Sequence, residues 1–462
     1  MNIIILSALS GIILMFSGFY IKNHRALNIL SVLLFIMMII GGICQLNGCE
    51  ILHAQYDNMI KSSPFGVTFF IVLALLAIFY LLLNKDLFPK VGKHLSEYYA
   101  LIFFSFVGIA VLAQFTNLVS MFLGIELLSI PMYLMAGTAK KSLRSTEASV
   151  KYFLMGAFST GVLILGVAFI YGATGSFLLE NISTFLAQFE AMYYIGWALI
   201  IFSFCFKIGS APFQFWIPDV YYGTPTVFTA YMSTIIKGAS FLGFIQLLQY
   251  LPLTEDNANN YRYLLAAIIV LTLFIGNFGA LAQRSVKKMM AYSSIAQAGF
   301  MLFVLFTINV MSKEALMYYT ISYAIANYII FYAIAQLNKG YYPDFAGLGK
   351  ENPVLAISVT IALISLAGIP LTSGFMAKFM ALSIGAADER NLVLIIIGLV
   401  MAVLSMYYYF RVIVEMYFKK GKPKLKSQDG MTNFMLILGV IIILVFGVVP
   451  DLLSRILNTP MW

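Results

Sequence analysis

Along the 462 residues, runs of about twenty apolar residues alternate with short segments rich in Lys, Arg, Asn, Gly and Pro. The runs lie near 2–21, 27–47, 66–84, 98–114, 117–137, 150–172, 191–211, 225–250, 263–282, 289–309, 314–336, 354–384, 392–416 and 432–450. As helices, runs of this length cross the roughly 30 Å hydrocarbon core of a bilayer. The pattern predicts an all-α polytopic membrane protein with about 14 transmembrane helices. The first run carries no charge before it and no small-residue cleavage pattern, so it reads as a retained helix and not a signal peptide.

The polar segments sort by charge. Nineteen of the 28 Lys and Arg residues fall in alternate loops on one side, among them Lys22, Lys85, Lys140, Arg284, Lys287 and the cluster around Lys419. Five fall on the other: Lys61, Arg262, Lys313, Arg390 and Arg455. By the positive-inside rule the richer side is cytoplasmic, which places both termini outside. Composition agrees, with 61% hydrophobic and only 10% charged residues and a mean hydropathy of +0.93. The net charge of +9 is therefore a topology signal, and nucleic-acid binding is set aside. The three cysteines lack metal-site spacing; Cys44 and Cys49 are expected to be free thiols, with a disulfide as the alternative if that helix end faces an oxidising compartment.

Four basic residues remain inside the apolar runs: Lys207, Lys237, Lys378 and Arg411. Arg411 lies near the end of its run, close to Glu415, and is expected to snorkel or pair locally. Among the carboxylates only Glu126 falls deep within a run. A charge at the bilayer centre costs on the order of 3 kcal/mol on insertion scales, so Glu126 and the three remaining lysines are functional candidates. Gly209, Ser210 and Pro212 follow Lys207, and Gly368, Pro370, Thr372, Ser373 and Gly374 precede Lys378. Both runs are expected to be broken helices, which persist at membrane depth only against protein or a water-filled cavity.

The two breaks are five runs apart. Runs 4–8 and 9–13 therefore predict two five-helix repeats, inverted relative to each other because five is odd. The corresponding division is an N-terminal three-helix segment (1–97), a first repeat (98–250), a second, inverted repeat (263–416) and a C-terminal helix (417–462). Polar residues recur near the lysines. Thr226, Thr229, Ser233, Lys237 and Ser240 are spaced by three and four, one helix face; Ser293 and Gln297, and Tyr319, Tyr323 and Asn327, repeat at steps of four. Singly such residues are helix-packing contacts; together with the lysines they outline a hydratable path.

The string SAPFQFWIPDVYYGTPTVFTAYMSTIIKGASF resembles the signature of the antiporter-like, proton-translocating subunits of respiratory complex I, the bacterial NADH-quinone oxidoreductase, most of all the N type. Three further stretches, Lys151 to Ser176, Arg284 to Phe300 and Ala367 to Phe379, fit the same family in the same order. The resemblance implies fourteen helices in two inverted repeats, within a membrane arm shared with other antiporter-like and small membrane subunits. It also implies roles: Glu126 as the acid of the fifth helix, Lys207 as the broken-helix lysine, Lys237 as the connecting lysine and Lys378 as the exit-side lysine. Gln297 stands where related subunits often carry histidine, and PDVYYGTP departs from the family pattern at Tyr222 and Thr224. Glutamine does not titrate near neutral pH, so water would have to serve there. The 462 residues are too few for the long lateral C-terminal helix of the largest antiporter-like subunit, which argues against an expectation of that type.

The expected function is that of a proton-translocating membrane-arm subunit driven by quinone reduction elsewhere. The chain shows no nucleotide fingerprint, haem-attachment motif or iron–sulfur cysteine set. NAD, FMN, iron–sulfur clusters and quinone are thus expected in other subunits, with no cofactor or metal in this one. Two readings compete: a subunit of a multi-subunit cation/proton antiporter or membrane-bound hydrogenase, using the same constellation, and a stand-alone solute transporter with the broken helices as its binding site. A purely structural scaffold leaves Glu126 and the three lysines without a reason.

Overall fold

The computed structural model of the chain describes residues 1–49, 59–184, 190–251, 255–306, 308–337, 340–386, 391–423, 425 and 429–452. Of the charged loop residues used for orientation, Lys339, Lys424, Lys426, Arg390 and Arg455 lie outside them. The main helices are α1 (Asn2–Ser17), α2 (His24–Leu46), α3 (Pro64–Asn84), α4 (Leu95–Leu112), α5 (Leu118–Ala136), α6 (Leu143–Thr174) and α7 (Glu190–Ile208). After a short helix at Trp216–Gly223 come α8 (Thr226–Leu248), α9 (Glu255–Leu281), α10 (Val286–Leu302) and α11 (Val310–Gln336). The remainder are α12 (Pro353–Ala367), α13 (Ser373–Gly385), α14 (Leu392–Phe418) and α15 (Gly430–Val448).

Among the described residues, eleven helices have the length and apolarity to cross a membrane. Helices α1 and α12 are apolar but shorter, and α13 has 13 residues. Helix α11 is long enough, but Tyr319, Ser322, Tyr323 and Asn327 make it more polar than its neighbours; it is nevertheless almost wholly buried. Starts are set by local chemistry. Asn23, Ser63, Asn117, Asn309 and Asn352 each accept a backbone N–H from the first turn of the following helix, and prolines at the first position of α3 and α12 fit a site where no N–H is needed.

Burial orders the bundle. Every residue of the apolar stretch of α8 is buried, whereas only 28% of that of α15 is. A helix buried on all sides in a membrane bundle is free to carry polar groups, because its surroundings are protein and not lipid. Helices α8, α10 and α11 form this interior, and α6, α14 and α15 present Leu, Ile, Val and Phe outward.

Both expected helix breaks are present. Helix α7 ends at Ile208, and Gly209 takes a left-handed φ of 73° ahead of a cis Ala211–Pro212 bond. Helix α12 ends at Ala367, Gly368 has φ 85°, and α13 resumes at Ser373. Only a residue without a Cβ adopts such dihedrals without strain, so glycine fixes where each helix stops. Helix α8 holds a feature that the sequence pattern did not indicate: Met232–Ile236 is a π-helical turn immediately before Lys237. The extra residue shifts the face presented by Lys237 and Ser240 relative to Thr226 and Thr229, and π turns concentrate at functional sites.

Candidate functional site

Glu126 lies on α5 and Lys207 in the last turn of α7, 81 residues apart in sequence; Lys207 Nζ is 3.9 Å from Glu126 Oε1. Their side chains are 8% (Lys207) and 22% (Glu126) exposed. Three further groups complete the pair. Thr160 Oγ1 on α6 donates to Glu126 Oε1 at 2.7 Å, and Lys207 Nζ donates to Ser129 Oγ at 3.0 Å and Tyr133 Oη at 3.5 Å. Ser129 and Tyr133 lie close to one and two turns beyond Glu126 on α5, so one helix face offers the ammonium a carboxylate and two hydroxyls. The Tyr133 hydroxyl has room because residue 156 on α6 is glycine; a Cβ there would meet it at 2.0 Å.

Lys237, at the end of the π turn, donates to the Ser294 carbonyl at 2.6 Å and to Ser294 Oγ at 3.2 Å. Lys378 donates to the Ala367 carbonyl at 3.0 Å, across the break between α12 and α13, and sits 4.7 Å from the centroid of the Phe300 ring. Neither lysine has a carboxylate within 4 Å among the described residues. The Ala367 carbonyl is one that the end of α12 leaves available, whereas the Ser294 carbonyl lies within α10.

The supporting residues fall into three groups. Gln297 is a junction: its Nε2 donates to the Leu366 carbonyl at 3.0 Å and to Tyr409 Oη at 3.2 Å, and its Oε1 accepts from Tyr319 Oη at 2.5 Å. Leu366 immediately precedes the carbonyl that holds Lys378, so Gln297 touches the surroundings of that lysine. Ser293 shares a hydrogen bond with Tyr409 Oη. Ser233 and Ser240 instead donate to carbonyls of their own helix, Ala230 and Ile236. Tyr323 Oη and Asn327 Oδ1 are buried with no partner among the described residues; such groups are ordinarily satisfied by ordered water.

Sequence reasoning missed Thr160, Ser129, Tyr133, Ser294 and Tyr409. Ser129 and Tyr133 follow Glu126 at steps of three and four and were legible; the others come from distant helices and carry no local signal. Arg411, expected to snorkel or pair locally, is exposed and makes no pair with Glu415 among the described residues; its guanidinium lies 4.0 Å from the centroid of the Tyr342 ring and donates to the Gln283 carbonyl at 3.5 Å. One expectation is corrected. Lys287, counted with the loop cations, is buried and donates to the carbonyls of Thr224 (2.5 Å) and Tyr222 (3.2 Å), because the short helix at 216–223 folds back over the start of α10. Cys44, Cys49 and Cys205 are free thiols.

Residues 115–405 match the family model described as NADH:quinone oxidoreductase/Mrp antiporter, transmembrane. The chain is 37% identical over 463 aligned positions to NADH-quinone oxidoreductase subunit N of Cytophaga hutchinsonii, covering 99% of both. To subunit N of Trichlorobacter lovleyi it is 35% identical, covering 98% of this chain and 94% of the relative. Among solved structures, a chain of respiratory complex I from Thermus thermophilus superposes with a TM-score of 0.83 at 26% identity over 98% of both chains. A chain of an archaeal membrane-bound sulfane sulfur reductase shares the fold, with a TM-score of 0.88 at 24% identity, covering 99% of this chain and 96% of that one. The resemblance first carried by four short motifs thus extends over the whole length, and the chain belongs to the NADH:quinone oxidoreductase/Mrp antiporter family of membrane subunits.

Proposed function

We propose that this chain is a proton-translocating membrane-arm subunit of an NADH-quinone oxidoreductase, embedded in a bacterial inner membrane beside other antiporter-like and small membrane subunits. The near-full-length kinship to subunits N favours this over a stand-alone transporter or a cation/proton antiporter subunit. In this reading both termini lie outside, residues 98–250 and 263–416 are inverted repeats between an N-terminal segment (1–97) and a C-terminal helix (417–462), and the redox groups (NAD, FMN, iron–sulfur clusters, quinone) belong to other subunits. The chain acts as a translocase part of the enzyme without a redox site of its own.

The observation that carries the mechanism is the partly made Glu126–Lys207 pair. At 3.9 Å the ions attract without a direct hydrogen bond, while Ser129 and Tyr133 offer Lys207 neutral alternatives. A small rearrangement therefore makes or breaks the pair. When it is made, the ammonium is stabilised; when it is broken, burial favours the neutral amine and a proton is released. The proton passes by water to Lys237, then past Ser293, Gln297 and the unpartnered Tyr323 and Asn327 groups to Lys378 and outward. Ser233 and Ser240, bonded to their own helix, line the route without relaying. Gln297 orients the path through its amide and does not titrate.

The test is Lys207→Ala in the assembled complex, reconstituted in vesicles, with NADH:quinone electron transfer and proton uptake measured together. The expected result is assembly with proton pumping abolished or strongly reduced. Normal pumping by an assembled variant overturns the proposal.

A further inference from the structure

Lys287 is a buried cation that the relay above does not use. It is 7% exposed and lies in the first turn of α10, a position where the helix dipole disfavours a positive charge. What holds it is the other end of a helix: the carbonyls of Tyr222 and Thr224, at the C-terminal end of the short helix Trp216–Gly223. No carboxylate lies within 4 Å of it among the described residues. The nearby acid on that short helix, Asp219, is already paired with Lys151 at 2.8 Å. The adjoining cations face elsewhere, with Lys288 and Arg144 over the Tyr222 ring at 4.9 and 5.3 Å from its centroid.

The surroundings of Lys287 lead inward. Thr224 Oγ1 is buried with no hydrogen-bond partner among the described residues, and the Thr224 carbonyl that holds Lys287 also accepts from Thr229 Oγ1 at 3.3 Å. Seven residues along α10 from Lys287 is Ser294, two turns away on the same face and about 10 Å distant along the axis. Ser294 is the residue that holds Lys237. Tyr221, next to Tyr222, and Tyr323 both lie beside it. Hydroxyls therefore stand at both ends of this stretch, Thr224 at Lys287 and Ser294, with Tyr323 of α11 beside it, at Lys237; Thr224 Oγ1 and Tyr323 Oη have no hydrogen-bond partner among the described residues.

We propose that Lys287 is a proton-carrying residue of the same translocation path, loaded from the loop end of α10 and delivering through the Thr224–Ser294 column to Lys237. The proposal rests on the translocase reading above. Its ammonium gives one proton to an adjoining water and becomes a neutral amine, which then takes one proton back from water at the loop end, so charge and atoms balance over a cycle. The competing role is a static cap on the two carbonyls, and arginine separates the two. A guanidinium can donate to both carbonyls but does not release a proton in a protein.

The experiment measures proton uptake and NADH:quinone electron transfer in vesicles holding the complete complex with Lys287→Arg, Lys287→His or Lys207→Ala. If Lys287 carries protons, the arginine complex assembles and pumps at least ten-fold less per electron. The histidine complex then pumps with an activity that falls as pH rises through about 6.5–7, where imidazole loses its proton. Wild-type pumping by the arginine complex overturns the proposal. If the arginine complex does not assemble, a histidine complex with the wild-type pH profile overturns it instead. Lys207→Ala separates the failures: full pumping there defeats the translocase relay itself, whereas loss of pumping there with normal Lys287→Arg defeats only the role of Lys287.

Discussion

Substituting Glu126 should grade proton pumping by the strength of its pairing with Lys207. At 3.9 Å, two unit charges in a protein environment of effective dielectric about 20 attract by about 4 kcal/mol. Moving one proton against 100 mV takes about 2.3 kcal/mol, so switching this one pair, driven from outside it, changes the proton affinity of Lys207 by about 2 kcal/mol more than one transfer requires. Glu126→Gln keeps the size of the side chain and an oxygen for the Thr160 hydroxyl, which donates at 2.7 Å, but removes the charge and with it the whole attraction. Glu126→Asp withdraws the carboxylate by about one methylene, to roughly 5 Å, leaving about 3 kcal/mol, still above the work required. The expected order of protons pumped per electron is Glu, then Asp at a reduced level, then Gln at a tenth of wild type or less. The assay is acidification of vesicles holding the assembled complex, normalised to NADH oxidation and to complex content. An assembled glutamine variant with the wild-type proton-to-electron ratio, or an aspartate variant no better than glutamine, refutes the pairing argument.

Other predictions bear on the scaffold around this pair. Gln297→Leu orphans the Tyr319 hydroxyl and the Leu366 carbonyl at about 1–3 kcal/mol each; Gln297→His can keep a donor and an acceptor, so the histidine complex should retain a higher melting temperature and more pumping than the leucine one. Gly374→Ala puts a Cβ 1.9 Å from the Ser365 carbonyl and should lower the yield and melting temperature of the complex, whereas Gly161→Ala, with nothing within 4 Å, should leave both unchanged or slightly raised. Lys85 bonds Asp429 at 2.6 Å, and that hydrogen bond, helped by the Gly430 N–H, holds the Asp429 carboxyl below its usual range. A depressed carboxyl stabilises the fold above the unfolded value of about 3.9 and loses that contribution as pH falls through the lower folded value. Hydrogen exchange in the first turn of α15, corrected for its intrinsic pH dependence, should therefore be unchanged between pH 7 and 5 and accelerate only below about pH 4; acceleration already at pH 6 contradicts it.

The helical bundle was legible because bilayer length and apolarity are local properties of the chain, and eleven helices among the described residues meet them outright. The breaks were legible for the same reason: Gly209 and Gly368 are the residues at which α7 and α12 must turn, and both take left-handed dihedrals there. The position of a charge inside an apolar run is also local, so Glu126, Lys207, Lys237 and Lys378 could be named from the sequence. Their partners are of another kind. A helical period places Ser293 and Ser294 about 100° apart and cannot say which of them faces Lys237; the packing of α8 against α10 selects Ser294.

Thr160 reaches Glu126 only because α6 lies against α5, and Lys287 is buried only because the short helix at 216–223 covers the start of α10. The π turn before Lys237 likewise left no periodic trace in an otherwise regular helical pattern. That the chain is a membrane bundle, where its helices break and that Glu126, Lys207, Lys237 and Lys378 lie inside apolar runs all follow from the transfer energy of residues within one segment. Which of those groups meet a carboxylate, a hydroxyl or a carbonyl, and that Lys287 is buried as well, came from the packing of the helices, because hydrogen bonding depends on angstrom-scale placement of side chains that lie tens of residues apart.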